Sequence, residues 1–227
     1  MTAGPAADLR VHVLLQDLQQ QFAAWLGTPT RARGYAPRAG QHALLVEVAP
    51  GLAIHRIADL ALRAVPAAEP SILFVERQFG ILGLHADRLD DLRAASDAIR
   101  AGLGIRADPD QTDQPGEPDA LGLRPRVLYA DVIDDIGDAH AIIVNRTREG
   151  SMLLPGRSLL VHEVTPALFA AVAANEAERA AAGTTLVDVS IIGTAGRLYL
   201  SGTPDGVRQA AAAIEVALAG VGGRPHD

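Results

Sequence analysis

The side chains best placed to do chemistry in this 227-residue chain are Glu76 and Arg77, a carboxylate and a guanidinium side by side in the segment 75–80. Either Glu76 or His85 has a functional group that could act as a general base in a cleft between subunits. Neither has a recognisable orienting partner, and the second half of the chain, which repeats the first, keeps neither residue. An enzyme is therefore the weakest of the functions considered. From local pattern alone, Glu76 and Arg77 are best read as an ordinary surface pair.

Other patterns that would indicate catalysis, a metal or a cofactor are missing. The sequence has no G-x-G-x-x-G, P-loop, H-E-x-x-H or G-x-S-x-G motif. It contains no cysteine and no lysine, which excludes disulfides, thiolate nucleophiles and Schiff-base lysines. Asp90-Asp91 and Asp134-Asp135 lie near predicted helix starts and are explained by the helix dipole. Histidines without metal-ligand spacing are His12, His42, His55, His85, His140 and His162. We therefore expect no catalytic residues, no metal and no cofactor.

Composition limits the partners. Hydrophobic residues make up 48% of the chain but aromatic residues only 4%, which favours thin layers of helix on sheet. A net charge of −7 argues against a nucleic-acid or anionic-membrane surface. The N-terminal residues do not resemble a secretion signal, and no apolar run is long enough to span a bilayer. The expected location is the cytoplasm.

The chain repeats itself at an offset of 116 positions. Gly34 falls on Gly150, Pro50 on Pro166, and Arg10-Val11 on Arg126-Val127. Matched Gly, Pro and Arg residues at one offset are hard to obtain by chance, so we infer an internal duplication. The segment 106–121 between the copies is rich in proline and acidic residues, which is typical of an exposed linker. The predicted domains are therefore 1–105 and 122–227.

Each copy predicts the same order of elements. A short strand and a short helix come first, over 10–15 and 17–26 in copy one and over 126–133 and 134–141 in copy two. A strand ending before Pro50 or Pro166 follows, and each proline is expected in the first turn of the next helix. Two strands and a closing helix, capped by Asp87 or Thr203, complete the copy. Strands covered by helices, twice over, predict an α/β protein, an α+β sandwich.

Long segments in both copies resemble tandem-domain bacterial microcompartment shell proteins. In the second copy these are RTREGSMLLPGRSLLVHEVTPALFAAVAANEAERAA and LVDVSIIGTAGRLYLSGT, and in the first VEVAPGLAIHRIADLALRA and ILFVERQFGILGLHAD. The likeness is greatest to the carboxysome-type member with a gated central pore. It implies two circularly permuted shell domains, each an antiparallel sheet flanked by helices, and a structural role rather than an enzyme.

The resemblance also assigns roles to residues. Glu76 and Arg77 would be the gate pair of a threefold pore, with Gln78 and Phe79 in the same lining segment. Gly193 and Thr194 occupy the equivalent turn of the second copy, which carries no charge. Relatives have phenylalanine at Ala195. At the tile edge the resemblance places Arg179, where relatives carry lysine, and the repeat-equivalent Arg63.

The partners implied are a homotrimer with a pseudohexameric outline, a face-to-face stack of two trimers, hexameric and pentameric shell proteins, and small metabolites passing through the pore. The location implied is a microcompartment shell. The alternative function is a trimeric small-molecule-binding or sensor module with the same duplicated fold, which would show a saturable pocket and form no sheets.

Overall fold

The computed structural model describes residues 7–28, 34–105 and 122–226. The predicted linker 106–121 lies outside the described residues. Each predicted domain contains one sheet, and the residues at which the domains begin and end stay a prediction.

The elements of the first domain are β1 Asp8–Leu15, α1 Gln20–Leu26, β2 His42–Ala49, α2 Ile54–Ala64, β3 Glu69–Glu76, β4 Phe79–Ala86 and α3 Leu89–Gly102. The four strands form an antiparallel sheet with the order β1-β2-β4-β3. A 3-10 turn, Gly51–Ala53, precedes α2.

The second domain repeats this arrangement with the order β5-β6-β8-β7, again all antiparallel. Its elements are β5 Arg126–Ile133, α4 Asp138–Asn145, β6 Ser158–Thr165, α5 Phe169–Ala180, β7 Thr185–Ser190, β8 Gly196–Gly202 and α6 Pro204–Ala219. The prediction of two tandem α/β domains, each an antiparallel sheet flanked by helices, is confirmed.

The strand register corrects the alignment of the two copies at their beginnings. Leu15 pairs with Ala43 in one sheet, and Ile133 pairs with Leu159 in the other. Because β2 and β6 match at an offset of 116, β1 and β5 must match at 118, so Leu9, not Val11, is the equivalent of Val127. The match of Arg10-Val11 with Arg126-Val127 was therefore wrong. The loop before Gly156 is two residues shorter than the loop before Gly40, and this restores the offset of 116.

Helices α2 and α3 cover one face of the first sheet, where Leu44, Val46 and Leu84 are buried. The opposite face, with α1, does not form a core of its own. It merges with the face of the second sheet that α5 and α6 cover, so that Phe22 and Phe169 belong to one apolar cluster. The two domains of one chain are therefore packed together through α1.

Several predicted helix boundaries shift. Helices α1 and α4 begin three and four residues later than predicted, because Asp17 and Asp135 take positive φ angles of 57° and 54° and turn the chain first. Asp134 accepts hydrogen bonds from Ser158 Oγ and Arg208 Nη2 and does not lie at a helix start. These two bonds lower its pKa.

Capping and proline placement also differ from expectation. Thr203 caps α6 as predicted, accepting from the Gly206 amide at 3.2 Å. Asp87 does not cap α3, whose N-cap is Arg88, but accepts from the Gln41 amide group. Pro50 precedes the 3-10 turn and stands outside the first turn of α2. Among the described helices, none has the length and apolar character to cross a membrane.

Candidate pore turns and the domain seam

The turn between β3 and β4 presents charge to solvent. The ladder of this hairpin runs to its last pair, Glu76 and Phe79, so that Arg77 and Gln78 alone form the tip. Arg77 has a φ of 52°, a left-handed conformation that bulky side chains rarely adopt. Its side chain is 90% exposed and its Nε lies 3.6 Å from Glu76 Oε1. A positive charge at the tip and a negative charge beside it are therefore in loose contact and open to solvent.

Phe79 anchors the turn. It is 7% exposed, and the Arg10 guanidinium lies 4.1 Å above the centre of its ring. Arg10 Nε in turn donates to Glu47 Oε1 at 2.8 Å. The side chain of Phe79, predicted in the pore lining, is thus held beneath Arg10, and only the tip faces outward.

Glu47 is a fully buried carboxylate in the middle of β2. Burial raises the pKa of its carboxyl above the ordinary 4.5, while the hydrogen bond and charge of Arg10 act in the opposite direction. Within the described residues its Oε2 has no hydrogen-bond partner. The structure beneath the turn therefore depends on the Arg10 guanidinium, which neutralises the buried Glu47 carboxylate.

Gly80 lets the turn approach the helix that follows β2. A Cβ at Gly80 would lie 2.1 Å from the Gly51 carbonyl oxygen, and a Cβ at the equivalent Gly196 would lie 2.0 Å from the Ala167 oxygen. Only glycine fits at either position without a shift of backbone. The same close contact fixes both turns against their own domains.

The second turn aligns with the first without insertion or deletion but has a different shape. Its ladder stops at the pair Ser190 and Arg197, so residues 191–196 lie between the last paired residues, and none of them is charged. Gly193 has a φ of 115°, and Thr194 is exposed while its carbonyl accepts from Thr165 Oγ1 at 2.9 Å. The structure therefore places Gly193 and Thr194 at the tip equivalent to Arg77 and Gln78. Charge is present at one of the two tips alone.

The two domains meet at what we call the domain seam, α1 and the turn before it against α5 and β7. The Glu178 carboxylate accepts from the amides of Gln21 and Phe22 at 2.8 and 3.0 Å. The Gln21 side chain donates to Thr184 O and accepts from Leu186 N. The backbone groups at the start of α1, which no turn of α1 itself can satisfy, are thus satisfied by the other domain.

Arg179 also belongs to the domain seam. Its Nη1 donates to Asp17 Oδ2 at 3.0 Å, and its Nη2 to the carbonyl oxygens of Gln16 and Asp17 at 2.6 and 2.9 Å. Its Nε is held by Glu176, one turn earlier. The equivalent Arg63 is held by Asp59 through Nε in the same way, at 2.7 Å, but its side chain is 79% exposed. The tile-edge role of both arginines stays a prediction.

Equivalent surfaces of the two domains differ sharply in exposure. Strand β1 and helix α1 are buried in domain one, whereas the equivalent β5 and α4 are exposed in domain two. Conversely, the surface of domain two on which α1 packs is buried, whereas the equivalent surface of domain one, which we call the receiving surface, is exposed. The exposed fractions are 0% for Val11 and 54% for Tyr129, 5% for Trp25 and 66% for Ile143, and 0% for Leu168 and 73% for Leu52. One chain therefore closes one seam and leaves both halves of a second seam open.

The residues considered for catalysis are not brought together. Glu76 lies opposite the first residue of β4 and Glu69 opposite His85, six residues further on, which is about 20 Å along a strand. His85 is buried beside Glu69, and burial lowers its pKa. Burial also lowers the pKa of His162. Among the described residues, no group of three or more potential ligands could hold a metal ion.

The sequence did not predict the Arg10–Glu47 pair beneath the charged turn or the contacts of the domain seam. Glu47 carried a usable signal, since it is a carboxylate inside an otherwise apolar strand and falls on Glu163 in the repeat. Arg10, Gln21 and Glu178 carried none, because their partners lie far away in sequence. Their contacts could be read only from the packed domains.

Comparisons with known proteins agree with this architecture. Residues 9–109 match the family model of the CsoS1D N-terminal domain. The chain is 36% identical over 219 residues to the carboxysome shell protein CcmP of Synechococcus elongatus, covering 96% of this chain and 95% of that protein. It is 36% identical over 212 residues to the carboxysome shell protein CsoS1D of Hydrogenovibrio crunogenus, covering 93% and 96%.

Solved structures show the same likeness. A double-ringed trimeric shell protein from the RMM microcompartment superposes with a TM-score of 0.87 at 55% identity, covering 97% of this chain and 100% of that chain. A fused permuted hexameric shell protein from the same microcompartment superposes with a TM-score of 0.82 at 43% identity, covering 93% and 96%.

Proposed function

The chain belongs to the tandem-domain microcompartment shell proteins of the CsoS1D and CcmP type, and on that premise we propose that it works as a homotrimeric tile whose central pore is bordered by its two hairpin turns. It is a structural protein of a microcompartment shell. No enzymatic role is proposed, because the relatives are shell proteins and, among the described residues, Glu76 and His85 are not brought together.

The open second seam carries the proposal. Domain one has an uncovered receiving surface and domain two an uncovered strand and helix, and these are the two halves of the seam already closed inside the chain. A ring of three chains would join each domain two to the domain one of the next chain. Six seams would then close, three within chains and three between them, and the apolar side chains Leu52, Tyr129 and Ile143 would leave water.

The pore follows from the same ring. Both hairpin turns lie at the same end of their respective domains, so a threefold axis would bring three charged turns and three uncharged turns to one opening. Three Arg77 and three Glu76 side chains cannot crowd together without pairing across chains or swinging apart. Two such arrangements supply a closed and an open pore, with Gln78 beside them and Gly193 and Thr194 as the uncharged part of the rim.

Phe79 lies buried at the base of the charged turn that would border the pore. Because its ring is clamped under Arg10, the tip of the turn can move about a fixed base. Small polar or charged metabolites are the solutes that such a rim would admit. Stacking of two trimers, suggested by the double-ringed relative, and assembly with hexameric and pentameric shell proteins belong to the same proposal.

The solution mass tests the tile. Light scattering after size exclusion should give three or six chains, and electron microscopy of the same fractions should show flat particles with a pseudohexameric outline. A monomer or dimer would remove the threefold axis and the pore with it. A trimer that binds a small molecule saturably and never forms sheets would instead support the alternative, a small-molecule-binding or sensor module.

The gate needs its own test. Arg77→Asn keeps a side chain that tolerates the positive φ but removes the charge. Single-particle images of this variant should show one pore state in place of two, whereas Thr194→Ser, at the uncharged tip, should leave the wild-type distribution unchanged. Two unchanged pore states in Arg77→Asn would refute the role of the charge.

A further inference from the structure

The contacts of the domain seam, which is closed inside the chain, predict the contacts of the second seam, which would form between chains. Structural equivalence, at an offset of 118 for the early strand and helix and 116 for the later elements, gives each contact of the domain seam a counterpart. Some counterparts keep the chemistry of the contact and others lose it on both sides at once. This pattern shows which groups can hold neighbouring protomers together.

The contact of Arg179 keeps its chemistry. Its counterpart is Arg63, and the counterparts of Gln16 and Asp17 are Asp134 and Asp135. Arg63 Nε is occupied by Asp59, just as Arg179 Nε is occupied by Glu176. Within the described part of the chain, the two terminal nitrogens of Arg63 make no hydrogen bond, whereas those of Arg179 make three.

The receiving turn is also preserved. Asp135 has a φ of 54°, close to the 57° of Asp17, so the backbone of the two turns has the same shape. A non-glycine residue in this conformation is strained, and both turns retain it. Asp135 is exposed, and its carboxylate makes no hydrogen bond among the described residues. Among the described residues, an arginine with free terminal nitrogens and a matching turn with an unpaired Asp135 carboxylate are thus both present, although Asp134 in that turn is already bound by Ser158 and Arg208.

One hydrogen bond of the Gln21 side chain is lost on both sides together. Gln21 has Ala139 as its counterpart, and Leu186, whose amide donates to Gln21, has Pro70, which has no amide hydrogen. The Leu186 amide and the Gln21 oxygen that accepts from it are therefore lost as a pair. The Glu178 carboxylate is replaced by Leu62, so the amides of Ala139 and His140, which correspond to those of Gln21 and Phe22, have no carboxylate to bind in the second seam.

A second polar contact survives in altered form. Asn175 accepts from the Gln19 amide at 2.9 Å, and the counterparts are Asp59 and the Gly137 amide. Asp59 still offers an acceptor oxygen, now charged. The seam between chains would therefore be more apolar than the seam within a chain, with its polar contacts gathered around Asp59 and Arg63.

We propose that Arg63 of one protomer binds the turn at Asp134 and Asp135 of the next, with its terminal nitrogens on the Asp135 carboxylate and the two backbone carbonyls, while Asp59 accepts from the Gly137 amide. The partner is a second copy of this chain, and the inference rests on the proposed trimer. Charge-assisted bonds of this kind set the register of the neighbouring chain as well as adding affinity.

The test compares two equivalent arginines in trimer dissociation. Arg63→Gln should raise the apparent dissociation constant about tenfold per seam, measured by mass photometry over a dilution series. Arg179→Gln, the matched control, should lower the free energy of unfolding of the chain and leave the dissociation constant of the trimer almost unchanged. Asp135→Asn should weaken the trimer as well, and the double variant Arg63→Gln/Asp135→Asn should cost less than the two single changes combined.

The outcomes separate the two proposals. If the wild-type chain is not a trimer, the proposed function fails. If the wild type is a trimer and Arg63→Gln and Asp135→Asn dissociate as it does, or their effects simply add, the tile stands and the contact is refuted. Circular dichroism of each variant at a concentration that keeps it assembled confirms that the domains are folded.

Discussion

Removing the guanidinium of Arg10 tests how much stability the Arg10–Glu47 pair beneath the charged turn contributes. Arg10→Leu copies the residue at the equivalent position of the second domain, Leu128, so it suits the strand. It leaves the Glu47 carboxylate buried without its one neutralising partner. Breaking such a pair costs roughly 3–5 kcal/mol, and we expect the lower end, about 3 kcal/mol near neutral pH, because Arg10 is partly exposed.

The pH dependence gives the sign. Burial already raises the pKa of Glu47 above its unfolded value, and loss of Arg10 removes both opposing effects, so the pKa rises further. A raised carboxyl pKa contributes stability below the unfolded value that is lost as pH rises through the folded value. The cost of Arg10→Leu should therefore be largest at mildly alkaline pH and should shrink toward about pH 5, by at most about 1.4 kcal/mol per pH unit.

Urea unfolding followed by circular dichroism, at one protein concentration, measures the effect. Arg197→Leu is the matched control, since its partner Glu163 is partly exposed and the loss should stay under about 1 kcal/mol. Arg10→Leu/Glu47→Met removes both charges and should recover most of the stability. A loss below about 0.5 kcal/mol for Arg10→Leu, or a loss that is the same at about pH 5 and about pH 8, would refute the reasoning.

Three further changes test local packing by the same unfolding measurement. Gly80→Ala should cost at least about 2 kcal/mol, because its Cβ would overlap the Gly51 carbonyl, whereas Gly220→Ala, whose Cβ would meet Ala217 O at an ordinary 3.4 Å, should cost under about 1 kcal/mol. Glu178→Ala should cost about 1–3 kcal/mol and shift the emission of the single tryptophan, since it frees the start of α1; unchanged emission and stability would contradict that. Thr203→Ala should cost about 1 kcal/mol through the lost cap and Thr203→Ser almost nothing; equal losses would show that the cap contributes little.

The elements and the duplication could be predicted from sequence because they depend on local periodicity and on repeated Gly and Pro residues. The strand 126–133 was placed at the bounds that the structure gives, and the closing helix was correctly started at Thr203. The helix starts were placed too early because the left-handed turn at Asp17 and Asp135 has no strong local signal apart from aspartate itself. The offset of the first strand was wrong because an Arg-Val dipeptide occurs by coincidence in both copies.

The seams could not be predicted, because they depend on which of two apolar faces meets another domain. Strand β1 and strand β5 read alike in sequence, yet Val11 is buried and Tyr129 half exposed. Burial of Val11 is decided by the second domain of its own chain, and no local pattern contains that information. The replacements of Gln21 by Ala139, of Leu186 by Pro70 and of Glu178 by Leu62 record the difference between the seams, and they can be recognised only once the strand register is known.

The uncharged second turn has a physical role in the proposed gate. If both turns carried a carboxylate and a guanidinium, twelve charged groups would meet at one opening, and neither pore state would leave a charge-free space to swing into. Gly193 and Thr194 leave that space between the three charged turns. Thr194→Arg, which adds three guanidiniums to the rim, should therefore leave a single pore state in single-particle images at low salt, and high salt should restore the second state by screening. Two states at both salt concentrations would show that the charged turns move independently of their neighbours, and the gate would then need no empty space beside it.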